Sequence, residues 1–363
     1  MRQYHQLVEN ILAKGNYREN RTSSDTISTF SQSYTIDLQE GFPLLTTKDM
    51  SGFRWNSLIH ELLWYFSGEH HIRDLKDETG IWNAWADDDW NLPTAYGRFW
   101  RRFPLPGKSQ QLKGEWWPNR EDWHEDAESW YDLPKEKIEE VDRWVNYEEG
   151  GRRTFDQVQY VIDTLNGDHP YRSANSRRLV ISAWHPANAA VSKLPPCHFT
   201  WVLNVQDGKL NTHLTQRSGD TALGIPFNIA AYALITHIIA NQTPFEVGKF
   251  SHTVVDTHVY CGKGERGSWY SENLDELSRR VREASTGEDY LEVKEWLVEN
   301  APEEAEGEER YDHVPGLLEQ LSREPRDRPV IQVAEKSIDD LEFEDVQVED
   351  YDPHPGIKFA VAE

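Results

Sequence analysis

The dipeptide Asp207-Gly208 constrains this chain more than any other two residues. It separates two runs of strand-like composition, Phe199 to Val205 and Leu210 to Leu214. Residues that tolerate positive φ are what a tight two-residue hairpin demands. The sequence therefore predicts an antiparallel pair whose two ends meet in register. Cys197 stands ten residues before Asp207 and Arg217 nine after Gly208, so the pairing brings a thiol and a guanidinium to one end of the sheet.

Around that hairpin the chain alternates between helical and extended signals. Leu7, Ile11 and Leu12 share a helical face, with Gly15 as the stop. Tyr34 to Leu38 alternates as a strand, and Leu58 to Phe66 reads as a mostly buried helix that carries the acidic Glu61. Further strands are expected at Leu179 to Ala183, Ser251 to Tyr260, Pro329 to Ala334 and Phe343 to Val348. Helices are expected at Asn228 to Ala240, Glu272 to Ala284 and Tyr290 to Val298. Strands interleaved with helices, several joined by hairpins, predict an α+β fold with a large mixed β-sheet and flanking helices. We expect one catalytic domain spanning residues 1–363, with insertions at about 105–153 and 261–311. The first insertion scatters Trp116, Trp117, Trp123, Trp130 and Trp144 among acids, as a segment docked by its aromatics.

The formal net charge is -25. Such a surface repels phosphate backbones and excludes binding of nucleic acid through a general basic face. An anionic substrate must then be met by a local island of arginines, with Arg177-Arg178 and Arg217 as candidates. The acidic tracts Glu303-Glu304, Glu308-Glu309 and Asp339-Asp340 suit a salt-rich cytoplasm, where the Debye length shrinks to about 3 Å at 1 M and self-repulsion is screened. Only Cys197 and Cys261 are present, so neither a disulfide framework nor a cysteine-based metal site is expected. The longest apolar stretch, Ile229 to Ala240, reads as a buried helix too short to span a bilayer. A soluble, cytoplasmic protein is expected.

The candidate chemistry gathers in Pro195-Pro196-Cys197-His198 and Gln216-Arg217-Ser218-Gly219-Asp220. Cysteine attacks as thiolate, and a fixed cation nearby favours that form. A guanidinium stays charged and forks onto phosphate oxygens. His198 is excluded as the base for Cys197, because adjacent strand residues point to opposite faces. Gly224-Ile225-Pro226-Phe227-Asn228 reads as a turn opening a helix, with Asn228 as its cap or as an amide able to read a base edge. Asp256, His258 and Tyr260 fall on one strand face, and of these His258 and Tyr260 would suit sugar hydroxyls.

These features occur in an order that resembles the folate-dependent thymidylate synthase family. The matching stretches include Asn20-Arg21-Thr22, Asp37-Leu38-Gln39-Glu40-Gly41-Phe42-Pro43, His60-Glu61-Leu62-Leu63-Trp64, Trp85-Ala86-Asp87, Tyr96-Gly97 and Ser176-Arg177-Arg178. Leu194 to Tyr260 and Tyr351-Asp352-Pro353-His354-Pro355-Gly356 continue the match. The resemblance implies covalent catalysis by Cys197 at C6 of dUMP, with 5,10-methylenetetrahydrofolate as one-carbon and hydride donor and no metal. It assigns the phosphate to Arg21, Arg217 and Ser218, beside Gly219, with Arg177 and Arg178 reaching in from the second subunit of a homodimer. Asn228 would read the pyrimidine, and His258 and Tyr260 the ribose. Glu61 and Tyr96 would move protons, Asp220 would meet the pterin, and Trp82, Trp85 and Ala362 would line the folate. The product dihydrofolate would link the enzyme functionally to dihydrofolate reductase.

The loop after Arg21, Thr22-Ser23-Ser24-Asp25, departs from the family's glycine-rich pattern and sets an acid beside the expected phosphate. A deoxypyrimidylate hydroxymethylase, which shares the early steps, is the nearest alternative; Trp82 and Asn228 argue for the synthase. An RNA-binding regulator is the alternative from another class, and the net charge opposes it.

Overall fold

In the computed structural model, which describes residues 1–92, 95–105, 142–148, 152–303 and 311–361, Asp207 and Gly208 adopt φ of 51° and 74°. Two successive left-handed residues make the turn whose twist matches that of paired strands. The strands in chain order are β1 (Asn16–Arg18), β2 (Thr26–Asp37), β3 (Phe103–Leu105), β4 (Val145–Glu148), β5 (Arg152–Phe155), β6 (Val180–Ser182), β7 (His198–Gln206), β8 (Lys209–Asp220), β9 (Glu246–Tyr260), β10 (Val330–Val333) and β11 (Val346–Glu349). The helices are α1 (Arg2–Lys14), α2 (Phe53–Ser67), α3 (Leu75–Glu78), α4 (Tyr96–Arg101), α5 (Gln157–Asn166), α6 (Pro186–Val191), α7 (Gly224–Asn241), α8 (Glu265–Glu283), α9 (Gly287–Asn300) and α10 (Val314–Leu321).

Six strands form one sheet in the order β1-β2-β9-β8-β7-β6. The β8/β9 pair is parallel and its neighbours are antiparallel, which is the mixed sheet expected. A parallel pair needs a crossover, and α7 supplies it. By length and hydropathy α7 could cross a membrane, yet most of it is buried within the protein, so it is a core helix. It packs Tyr232 against Trp201 and Trp100, the latter pair meeting edge-on at 5.4 Å. Burying each such ring stabilises the fold by roughly 1.5–3 kcal/mol. Trp144 also docks as expected, 2% exposed, donating to Asp163 at 2.8 Å and stacked on His169. Trp116, Trp117, Trp123 and Trp130 lie outside the described residues.

Several elements differ from expectation. The second strand begins at Thr26 rather than Tyr34, β9 at Glu246 rather than Ser251 and α8 at Glu265 rather than Glu272, and Phe343–Asp345 is a 3₁₀ turn preceding β11. Within the second acidic insertion, α8 rests on α1 through Ser278 Oγ–Leu12 O (2.9 Å), and α9 on α10 through Lys294–Glu319 (2.7 Å).

Two buried histidines make the fold sensitive to acid. His252 sits between the Tyr34 hydroxyl (2.7 Å) and Gln216 Oε1 (3.0 Å), and His198 pairs with the Tyr232 hydroxyl at 2.7 Å. Burial pushes each pKa down to about 3, against about 6.5 unfolded. A depressed folded pKa means stability that is present above about 6.5 and lost as pH falls toward the folded value. Urea unfolding in molar KCl, which screens the carboxylates, is therefore expected to lose about 2 kcal/mol per histidine between pH 7 and 5. A flat profile would mean that these rings titrate freely in the folded state.

Candidate active site

Pro195 and Pro196 cannot donate backbone hydrogen bonds and hold the chain extended as it enters β7. Their carbonyls are taken instead by Arg217, through Nε to Pro196 O at 2.9 Å and Nη2 to Pro195 O at 2.6 Å. The Arg217 amide donates to Cys197 O at 2.9 Å. The hairpin thus seats the guanidinium beside the half-buried Cys197. The Cys197 amide donates to the Tyr96 hydroxyl at 2.8 Å. One expectation is corrected here. Burial pushes the thiol up, and Arg217 and Tyr96 pull it back only in part, so the pKa stands above its ordinary value. A charged guanidinium lowers a thiol only as far as desolvation permits.

Tyr96 can lie this close to α2 because its neighbour is glycine. A Cβ at Gly97 would stand 1.9 Å from Tyr65 O. Tyr96 stacks on His198 at 3.6 Å, whose Nδ1 is already engaged by the Tyr232 hydroxyl at 2.7 Å. On the other side lies Glu61. Its Oε1 accepts from the Tyr65 hydroxyl and from Trp82 Nε1, both at 2.7 Å. Burial raises the Glu61 pKa, and these two donors lower it in part. A carboxyl raised in this way holds its proton more readily than an ordinary glutamate, which suits a proton-transfer group. Trp82 is 8% exposed, and Trp85 packs partly buried nearby.

The far end of β8 carries the second half of the site. Gly219 lets β8 approach α7, since a Cβ there would stand 2.6 Å from Ile225 Cδ1. Asp220 lies opposite His258 across the parallel register, and Ser218 opposite Asp256. His258 and Tyr260 share one face, with ring centroids 5.2 Å apart. Asn228 is not a cap: α7 begins at Gly224, and Asp220 accepts from the amides of Ala222 (2.9 Å) and Leu223 (3.3 Å) just before it. Asn228 stands instead in the second turn, where its Oδ1 accepts from Gln216 Nε2 at 3.2 Å. Burial would raise Asp220, but His313 and the backbone donors hold its pKa below the usual carboxylate value.

Several neighbours of the site were given no role of their own in the sequence. Gln216 links Asn228, the Ser218 carbonyl and His252, a role that only the folded register reveals. His313 Nδ1 lies 3.7 Å from Asp220, while its Nε2 meets Ala360 O at 2.9 Å. Lys48 is buried against Ala222 O and lies 4.9 Å from the Phe359 ring centroid, and burial lowers its pKa to about 7. The C-terminal segment therefore rests on the same wall as Asp220. Arg21, Arg177 and Arg178 are exposed, and none is drawn to Cys197 within the chain. Ala362 lies outside the described residues. Asp25 departs from expectation: it is 5% exposed and turned inward, accepting from the Asn20 amide and the Tyr17 hydroxyl.

A half-buried thiol beside a fixed guanidinium, with a buried carboxyl and an oriented amide, is an arrangement chemically suited to covalent catalysis on a small polar substrate. The sequence model of thymidylate synthase matches residues 2–363. A Haloferax volcanii protein named thymidylate synthase is 59% identical over 357 residues, covering 98% of this chain and 95% of its own length. The chain belongs to the thymidylate synthase family. It is a methyltransferase of dTMP synthesis, acting on dUMP with 5,10-methylenetetrahydrofolate as co-substrate. Kinship to a protein of a halophile and the charge of -25 agree on a salt-adapted enzyme.

Proposed function

We propose that Cys197 adds to C6 of dUMP, so that C5 becomes electron-rich enough to accept the one-carbon unit. The observation that carries this reading is the seat of Cys197 between Arg217 and Tyr96. Arg217, Ser218 and Arg21 take the phosphate, with Gly219 leaving room on the strand. The phosphate also balances the charge of Arg217. Asn228 reads the pyrimidine edge, and His258 and Tyr260 take the ribose hydroxyl. Glu61 holds and moves a proton at the base, and Tyr96 serves the C5 proton.

The residues fit the folate. Asp220 is anionic, and its backbone donors leave lone pairs for a pterin. Trp82 and Trp85 offer ring faces, and Ala362 is assigned to the folate by the family resemblance alone. When bound, the folate supplies the one-carbon unit and the hydride. The Asp220 carboxylate orients it, and the wall of Phe359 and His313 excludes water.

A homodimer is part of this reading. Across the large sheet, Thr35, Ser251, His213, Val202 and Val180 form one row, and Ser33, Thr253, Thr215, Thr200 and Ser182 the next. Neither row carries an acid, in a chain of charge -25, and Phe30, further along β2 opposite Asp256, is 84% exposed. Two adjoining rows without acids suit a second copy. The exposed Arg177 and Arg178 would then reach the partner's phosphate site. One catalytic domain with insertions at 105–153 and 261–311, a cytoplasmic location in keeping with two free thiols, and recycling of dihydrofolate by dihydrofolate reductase complete the proposal.

The test follows dihydrofolate by absorbance with dUMP and methylenetetrahydrofolate, in dilute and molar KCl. Dihydrofolate should appear in step with dTMP, and activity and melting temperature should both rise with KCl as self-repulsion is screened. A hydroxymethylated product without dihydrofolate would contradict it.

A further inference from the structure

The loop bearing Arg21 is short and without the glycines expected there, exposed at Arg21 and buried at Ser24 and Asp25, and it is held from outside. Lys263 Nζ donates to Asn20 O and to Thr22 O, each at 2.7 Å. These two carbonyls flank Arg21 in sequence. The same ammonium lies 3.9 Å from Asp25 Oδ1, the atom that accepts from the Asn20 amide at 2.9 Å. The loop is further tied to the segment that follows β9. The Asp25 amide donates to Gly262 O at 2.8 Å, and the Cys261 amide to Asp25 O at 2.9 Å. The Gly262 amide donates to Ser24 Oγ at 3.0 Å. Gly267, in the first turn of α8, lies against Asp25 so closely that a Cβ would stand 2.6 Å from Oδ2.

We propose that Lys263 is a positioning residue for substrate phosphate, acting through Arg21. The inference rests on the assignment of Arg21 to the phosphate. The exposed Arg21 side chain makes no hydrogen bond or ion pair among the described residues, so its aim depends on the backbone that carries it. Lys263 fixes that backbone on both sides of Arg21 with one ammonium. It also sets a positive charge over two carbonyl oxygens whose negative ends would otherwise face a dianion. Asp25 is answered in the same way: inside the loop it holds the Asn20 amide and the Tyr17 hydroxyl. The second acidic insertion, which starts here, thereby buttresses the phosphate loop in place of the glycine-rich turn.

The experiment is steady-state kinetics of the full-length enzyme in molar KCl, comparing Lys263→Met, Lys263→Arg and Arg21→Ala. Lys263→Met should raise KM for dUMP about tenfold, the worth of one charge-assisted hydrogen bond. Its kcat and its KM for the folate should stay within about twofold. Lys263→Arg, which keeps the charge and the donors, should recover most of the loss. Inhibition by deoxyuridine, which lacks the phosphate, should be unchanged in Lys263→Met, a readout that general loosening of the fold would move. An unchanged KM in Lys263→Met beside a raised KM in Arg21→Ala would overturn the inference alone. An unchanged KM in Arg21→Ala would overturn the phosphate assignment and the inference with it. Weakened deoxyuridine inhibition in Lys263→Met would reduce Lys263 to a structural role.

Discussion

Cys197→Ser is expected to lower kcat by at least about 10⁴-fold, the scale on which removing a covalent nucleophile acts. A serine hydroxyl is a far weaker nucleophile than a thiolate, and Arg217 offers it no proton acceptor. The thiol in the free protein is already held above its ordinary pKa by burial, so little of it is ionised before substrate arrives. A phosphate that draws on Arg217, together with proton movement through Tyr96 and Glu61, must complete activation inside the complex. Affinity for dUMP should change by less than about threefold in the serine variant, because the phosphate and base contacts remain. Stopped-flow binding and single-turnover assays separate the two quantities. Turnover above one hundredth of the parent value would rule out the covalent route.

Asn228→Asp should cost about 10²-fold in kcat/KM for dUMP and bring dCMP to comparable efficiency. Uracil presents a donor at N3 and an acceptor at O4. An amide matches that pair in one orientation only, and cytosine would match the flipped orientation. Gln216 Nε2 donates to Asn228 Oδ1 at 3.2 Å, which pins the amide oxygen and leaves Nδ2 to donate to O4. Gln216 is itself held by His252 at 3.0 Å. A carboxyl has two equivalent oxygens and loses this sense of direction, and its anion would face O4 with no proton to offer. A site built on such a pair rejects the wrong partner strongly, and losing the pair removes the rejection. Parallel rates on dUMP and dCMP provide the readout. A variant that kept the parent preference for dUMP would show that another group reads the base.

The main features of this fold were legible where residues carry their own geometry. Asp207-Gly208 set the hairpin, and the hairpin set Arg217 against the Cys197 strand as the spacing required. Helices with strong apolar spacing, such as those beginning at Phe53 and Gly224, appeared close to where they were read. Thr26 to Ser33 was missed because serine, threonine and glutamine give no apolar alternation, and the strand is recruited by pairing with β9. Asn228 was read in part as a cap because a short polar residue near a helix start usually is one; the helix in fact begins four residues earlier, at Gly224, with no side-chain cap. The least legible contributors were Gln216, His313 and Lys263, whose partners lie 12, 93 and 243 residues away at Asn228, Asp220 and Asn20. No local pattern encodes such contacts, since only the register of the finished sheet brings them together.

The central claim is a covalent bond between Cys197 and the pyrimidine. A fluorine at C5 cannot leave as a proton does, so 5-fluoro-dUMP should arrest the reaction after carbon transfer. The deciding measurement is the intact mass of the protein after incubation with 5-fluoro-dUMP and methylenetetrahydrofolate in molar KCl. The mass is expected to rise by both ligands together in the parent enzyme and not at all in Cys197→Ser. No increase in the parent enzyme, or an equal increase in the serine variant, would contradict the mechanism.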